Sequence, residues 1–333
     1  MNRTNRYYVS EPEYNNVYNA GILRKHNESI LYAEGFEPLY LSDVNKFSAA
    51  KHLIKYINTV NEKSTVIFHF PIHSSIKKLF LSFLKWRKII TVAIVVDIDG
   101  IRDGNTELLH HEINLLKKFT HVILHNDSMK NLLAPQLPGV YMHVISLFDY
   151  PTKSEPIQRH LSNTICFAGN ASKAAFIFDM KRDQNIFFNI YGEGYDAPNK
   201  IKNNFVFKGI VNPSDLPLKL EGSFGLVWDG ASTASGDEYM QYNNPHKLSL
   251  YFVSGLPVIV WDKSAIAPLV QEYNAGILIN SLAEIPKLIN EMTPDRYLTL
   301  HRNASSLGGK IKTGYYLKKV VNQIVNSYKK KIP

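Results

Sequence analysis

The sequence predicts an α/β protein built from two doubly wound parallel sheets. Three observations predict it. Strand-period and helix-period segments alternate through most of the 333 residues. The run Ile89 to Val96 (IITVAIVV) is apolar except for Thr91, as a parallel strand covered on both faces requires. The alternation lapses once, around Phe148 to Asn163, where Pro151, Lys153, Ser154 and Pro156 read as a linker, and then resumes.

Taken in order, Arg6 to Val9 reads as a short strand. A helix follows from about Asn19 to Glu34, with Leu23, Ile30 and Leu31 on one side, and Gly35 ends it. Phe36 to Leu41 is extended, and Ala50, Leu53, Ile54, Ile57 and Val60 recur at helical spacing. Thr65 to Phe70 is a strand backed by Pro71, and Ile76, Leu79, Phe80, Phe83 and Leu84 mark another helix face. After the buried run come helix Leu108 to Phe119, strand His121 to Leu124, helix Asp127 to Leu133 and strand Val140 to Ile145. In the second half the strands are Thr164 to Phe167, Phe187 to Tyr191, Phe205 to Phe207, Phe224 to Trp228, Pro257 to Trp261 and Gly276 to Ile279. Helices Pro245 to Val253 and Ser264 to Tyr273 lie between them, and a basic helix closes the chain from about Thr313. The expected domains are residues 1–150, 151–312 and a closing helix, 313–333, packed back on the first domain. Two such Rossmann-like halves face a cleft with their strand C-terminal ends, where ligands of open α/β sheets bind.

Composition narrows the function. Lys plus Arg is 38 and Asp plus Glu 29, a net charge of +9. That surplus suits a nucleotide diphosphate, a nucleic acid or an anionic membrane. The basic residues are scattered and no nucleic-acid-binding signature is present, which argues against nucleic acid. Lys329, Lys330 and Lys331 read as a frayed solvated end or as a weak membrane contact worth about 1 kcal/mol per residue. The single cysteine, Cys166, excludes a disulfide scaffold and a cysteine zinc cluster. No signal-peptide h-region follows Arg3 and Arg6, and no apolar run reaches the roughly 20 residues of a membrane span, so a soluble cytoplasmic protein is expected.

Four stretches carry candidate chemistry. In Gly236 to Gly255, Asn243, Asn244 and Pro245 precede a helix. Pro suits a first helical turn, whose free N–H groups and positive end attract phosphate, and Lys247 adds a point charge there. The same residues also describe a capped surface helix with a solvated lysine. In Ile165 to Lys173, Asn170, Ser172 and Lys173 follow a strand, either as an anion-binding turn or as a plain one. Tyr191, Gly192, Glu193 and Gly194 stand at another strand end, where glycines let a backbone approach a ligand or simply turn. In Val95 to Arg102, Asp97 and Asp99 leave the buried strand as general-base candidates or as loop caps, with Arg102 beside them. His69, His73, Asp97 and Asp99 fit no recognised metal-ligand spacing. No GxGxxG follows the first strand, which weakens a Rossmann dehydrogenase reading.

The blocks YNNPHKLSLYFVSGLPVIVW, FAGNASK, FGLVWDG, VVDIDGIRD and VILHNDSM resemble bacterial GT-B glycosyltransferases that add the second sugar, usually glucose, to O-linked N-acetylglucosamine on serine-rich repeat adhesins. The pattern is also similar to bacterial β-1,6-galactofuranosyltransferases. The resemblance runs from about residue 7 to 325. It implies a GT-B fold, a UDP-sugar donor, a GlcNAc-bearing Ser/Thr-rich protein acceptor, no metal or other cofactor, and a homo-oligomer, with a tetramer favoured. It further implies that Asn170 and Lys173 meet the nucleotide, that Tyr191 and the turn Phe207 to Gly209 lie near the base, and that Asn243, Asn244 and Lys247 hold diphosphate and ribose. The loop Asn15 to Gly21, with Asn15, Asn16 and Asn19, would close over the acceptor. Relatives commonly carry a histidine before the first aspartate of VVDIDGIR; here Val96 stands there. Asp97 is the first choice of catalytic base and Asp99 the second. Other readings are a galactofuranosyltransferase of cell-envelope polysaccharide and a non-catalytic partner subunit of a transferase.

Overall fold

The computed structural model of the chain describes residues 5–10, 21–41, 46–170, 185–193, 204–229 and 236–329. The chain divides into two compact units, one of Met1–Ser146 with Tyr316–Pro333 and one of Leu147–Tyr315.

The first unit runs β1 (Arg6–Ser10), α1 (Gly21–Ala33), β2 (Glu37–Tyr40), α2 (Lys46–Thr59), β3 (Thr65–Phe70), α3 (Ser75–Trp86), β4 (Ile90–Val95), α4 (Asp99–Arg102), α5 (Thr106–Leu116), β5 (His121–Leu124), α6 (Asp127–Leu133) and β6 (Tyr141–Val144). The strands pair in parallel in the order β2-β1-β3-β4-β5-β6. Every residue of β3 is buried, and so is β4 from Thr91 onward, as their unbroken apolarity requires. Gly35, at φ +80°, ends α1 in the left-handed turn, with the Phe36 amide donating back to the Leu31 carbonyl. Ser74, Asn105 and Asn126 cap α3, α5 and α6 through side-chain oxygens.

The second unit runs β7 (Thr164–Ala168), β8 (Phe187–Tyr191), β9 (Phe205–Gly209), α7 (Leu216–Lys219), β10 (Phe224–Val227), α8 (Gly236–Met240), α9 (His246–Val253), β11 (Val258–Trp261), α10 (Ala267–Glu272), β12 (Gly276–Ile279), α11 (Ile285–Asn290) and α12 (Pro294–Ile311). Its parallel order is β12-β11-β10-β7-β8-β9, so the winding reverses between β7 and β10. The last helix, α13 (Tyr315–Lys329), belongs to the first unit but for its first residue. There Asn322 donates to Glu34 at 3.0 Å, and the Tyr328 hydroxyl meets His121 Nε2 at 2.8 Å. The closing basic segment is therefore preceded by a second long helix, α12, which the sequence reading did not separate.

The presumed linker needs correcting. Residues 147–163 have no regular structure, yet they are tied into the second unit. Arg159 is buried and donates to the carbonyls of Ser254 (3.1 and 3.2 Å) and Leu220 (2.6 Å). The Tyr150 hydroxyl donates to the Pro213 carbonyl at 2.8 Å, and Ser249 Oγ donates to the Phe148 carbonyl at 2.6 Å. The segment supplies partners for buried polar groups, which a free linker does not.

Candidate active site

Ligands of open parallel sheets sit beyond the strand C-termini, where the winding reverses. In the second unit that point is the β7/β10 pair, with Phe224 opposite Ile165 and Gly225 opposite Cys166. Helix α9 is fixed to it by one aromatic ring. A Cβ on Gly225 would stand 2.3 Å from the Tyr251 ring, so only glycine lets Tyr251 lie on β10. The Tyr251 hydroxyl accepts from the Ala168 amide at 2.8 Å and donates to the Leu226 carbonyl at 3.2 Å, joining β7, β10 and α9. Lys247 is four residues earlier on that helix and shares its face.

The result places Lys247 at the ends of β7 and β10. Its ammonium donates to Asp229 Oδ1 at 2.7 Å and to the Trp228 carbonyl at 3.2 Å, and stands 4.9 Å from the Phe167 ring centroid. Asp229 was missed in the sequence, although it follows a strand and precedes a glycine in FGLVWDG. Pro245 corrects an expectation: it is the N-cap, at φ −64° and ψ 131°, and the helix begins at His246. Lys247 is thus the second helical residue. As N-cap, Pro245 offers the first turn no side-chain acceptor. Asn244 is buried beside it, and Asn243 Oδ1 is buried with no hydrogen-bond partner among the described residues. Burial pushes the His246 pKa down to about 4, so this neighbour is neutral at pH 7.

The ends of β7, β8 and β9 are bound together. The Gly169 amide donates to the Tyr191 carbonyl at 2.9 Å, and the Gly192 amide donates to the Gly209 carbonyl at 3.0 Å. Gly192 has φ +140°, and a Cβ there would lie 2.0 Å from the Gly169 carbonyl oxygen. Gly192→Ala is therefore expected to lower stability by about 2 kcal/mol or more, since both strain and overlap oppose it; thermal unfolding checks this, and an unchanged midpoint contradicts it. Asn170 is exposed just past β7, and Phe207 is exposed on the edge strand β9, followed by Gly209 at φ +74°. Tyr191, expected near the base, stands at the end of β8 with its side chain turned into the fold. Its ring is buried, and its hydroxyl donates to the Lys219 carbonyl and accepts from the Glu221 amide, both at 2.9 Å. The side chain locks α7 to the sheet, and only its backbone faces the strand end. Lys173, Asn15, Asn16 and Asn19 lie outside the described residues.

In the first unit, the end of β4 gathers charge. Arg102 Nη1 is 2.8 Å from Asp99 Oδ1 and 3.4 Å from Asp97 Oδ2, and its Nε and Nη2 bind Asp103. The Asp103 hydrogen bond, with the neighbouring carboxylates, raises the Arg102 pKa against the opposing pull of burial. His73 Nε2 is 3.7 Å from Asp99. Asp97 is the more open carboxylate, with 26% of its side chain exposed against 13% for Asp99.

Glu112, on α5, holds this turn from behind and was not singled out in the sequence. Its two carboxylate oxygens accept from the Asp99 amide (3.0 Å) and the Gly100 amide (2.8 Å). Gly100 is obligatory, since a Cβ would meet the Leu109 backbone at 2.4 Å. Burial raises the Glu112 pKa to about 7, outweighing the two amides that lower it. A carboxyl raised from its ordinary 4.5 holds its proton longer folded than unfolded, so its stabilising share falls as pH rises from about 4.5 to about 7. Comparing unfolding midpoints across this window should show that decline in the wild type relative to Glu112→Gln; parallel curves contradict it. Among the described residues, no group of three or more His, Cys, Asp or Glu is placed to hold a metal ion, and no helix is long and apolar enough to cross a membrane.

Two six-stranded parallel sheets, the second with a lysine and a helix start at its reversal point, are the parts of a GT-B glycosyltransferase, and the comparisons agree. Residues 6–147 match "Glucosyltransferase 3-like, N-terminal domain" and residues 165–324 match "Glucosyltransferase 3-like, C-terminal domain". The chain belongs to this glucosyltransferase 3-like family and is a nucleotide-sugar-dependent glycosyltransferase. The β-1,6-galactofuranosyltransferase WbbI of Escherichia coli (strain K12) is 29% identical over 303 residues, covering 88% of each chain. Glucosyltransferase 3 of Streptococcus gordonii is 24% identical over 246 residues, covering 73% of this chain and 72% of its own. Anabaena Alr3699/HepE, solved in complex with UDP and glucose, superposes with a TM-score of 0.66 over 97% of this chain and 99% of that one, at 9% identity, a likeness of fold.

Proposed function

We propose that the chain transfers a hexose, glucose in the first reading, from a UDP-sugar to N-acetylglucosamine already carried on Ser/Thr of a serine-rich repeat protein. The observation that carries the donor half is Lys247 in the first turn of α9, at the β7/β10 reversal. The UDP leaving group gains charge as the glycosidic bond breaks. An ammonium and helix amides aimed at the diphosphate stabilise that charge, and the reaction needs no metal for it. Asp229 orients the ammonium and yields part of its hold when phosphate oxygens arrive. Asn243 Oδ1, buried without a partner among the described residues, accepts from a ribose hydroxyl. Gly192, Gly209 and Asn170 form the nucleoside side. In the first unit Asp97 takes the proton of the attacking sugar hydroxyl if the anomeric centre is inverted. The working form is a cytoplasmic homo-oligomer, a tetramer in this reading.

A second reading, galactofuranose transfer, is favoured by the higher identity and coverage shared with WbbI. One experiment separates them. An O-GlcNAc-bearing Ser/Thr-rich peptide and a free sugar acceptor are incubated with UDP-glucose, UDP-N-acetylglucosamine and UDP-galactofuranose, and products are weighed by mass spectrometry. A peptide that gains one hexose from UDP-glucose supports the first reading. Transfer from UDP-galactofuranose alone supports the second, and no transfer from any donor removes both.

A further inference from the structure

Helix α3 has one face whose composition the fold does not use. Lys77, Phe80, Leu81 and Leu84 are turned inward and buried. On the other side Leu79 is 58% exposed and Trp86 is 76% exposed. These two are seven residues apart, hence on one side of the helix. Phe83 lies between them, its ring 5.9 Å from that of Trp86, and the Arg87 guanidinium stands 5.7 Å from the Phe83 centroid.

This aromatic ridge is set among cations. Lys78, Lys85 and Lys88 come from α3 and the turn after it. The end of α5 contributes two more, because Lys85 Nζ donates to the Lys117 carbonyl and Lys118 Nζ donates to Ser82 Oγ, both at 3.0 Å. No acidic residue occurs in the sequence between Glu62 and Asp97. Single exposed apolar residues are ordinary, and cations near a helix C-terminus complement its dipole. Neither accounts for an outward tryptophan amid one sign of charge. An indole prefers the headgroup level of a bilayer, and lysines and arginines are drawn to anionic lipid within a Debye length.

We propose that the outer face of α3, with the end of α5, is a peripheral docking surface for an anionic lipid bilayer, into which Trp86 and Leu79 dip at headgroup depth. Charge complementarity selects this occupant over a neutral surface. The surface is independent of the donor site, so it stands or falls separately from the transferase reading.

The test is co-sedimentation of the full chain with phosphatidylcholine vesicles, with and without phosphatidylglycerol. The bound fraction is expected to be about tenfold higher with the anionic lipid and to fall in high salt. Leu79→Ser with Trp86→Ser, and Lys85→Glu with Lys88→Glu, are each expected to lower it about tenfold. The chain has three tryptophans, so a blue shift in emission on adding vesicles should disappear in Trp86→Phe. UDP binding in the same preparations should be unchanged, showing that the variants are folded. Equal binding to both vesicle types, or binding that survives these substitutions, overturns the proposal. So does a vesicle-free dimer that Trp86→Ser converts to monomer, which would give the face to a second copy of the chain.

Discussion

Lys247→Ala is expected to lower kcat on the order of 10²–10³-fold, the loss typical of removing one preorganised group that meets developing transition-state charge. UDP affinity should fall with it. Stability should change by no more than about 1 kcal/mol, because the partner left behind, Asp229, has 43% of its side chain exposed and rehydrates. That combination separates a role toward phosphate from a merely structural ion pair. If the pair only ties α9 to β10, Asp229→Asn and Lys247→Ala should shift the unfolding midpoint alike and leave turnover nearly intact. Single-turnover transfer and UDP titration on both variants distinguish the two outcomes. Near-wild-type turnover in Lys247→Ala contradicts the site.

Asp97→Asn is expected to cost about 10²–10⁴ in kcat with little change in donor KM, as for loss of a general base. Asp99→Asn should act differently. Asp99 is the more enclosed of the two and has the shorter contact to Arg102, 2.8 Å against 3.4 Å. Its loss should appear mainly as lowered stability, because it removes the closer partner of a guanidinium whose charge the surrounding carboxylates sustain. Full activity in Asp97→Asn would remove the base from this carboxylate and favour retention at the anomeric centre, which requires no such group.

Much of the scaffold is legible in the sequence because buried parallel strands announce themselves. IITVAIVV can be little else, and the parallel direction of the strands follows once helices intervene between them, though their order in each sheet does not. Helix α12 is harder to read. Its buried positions Tyr297, Leu300, Ala304, Leu307 and Ile311 keep helical spacing, but Ser305, Ser306, Gly308 and Gly309 interrupt the propensity. Gly308 is needed there, since a Cβ would come 2.2 Å from the Phe252 carbonyl oxygen.

The candidate site divides in the same manner. Lys247 is visible because Asn-Asn-Pro before an apolar helix marks a helix start. Its partner Asp229 lies 18 residues earlier, and the packing of α9 on β10, Tyr251 against Gly225, brings the two together. Glu112 is hidden for a related reason: it lies on an ordinary amphipathic helix, and nothing local says that its carboxylate points at two amides of another turn. Tyr191 misleads in the opposite direction. A tyrosine before a glycine at a strand end looks available, and only the carbonyl of Lys219 and the amide of Glu221 show that its hydroxyl is already engaged.

The most direct measurement is a crystal structure of the protein soaked with UDP. The predicted density puts the diphosphate within hydrogen-bond distance of Lys247 Nζ and the first-turn amides of α9, with the ribose near Asn243. Nucleotide density at any other place on the second sheet, or none at saturating UDP, contradicts it.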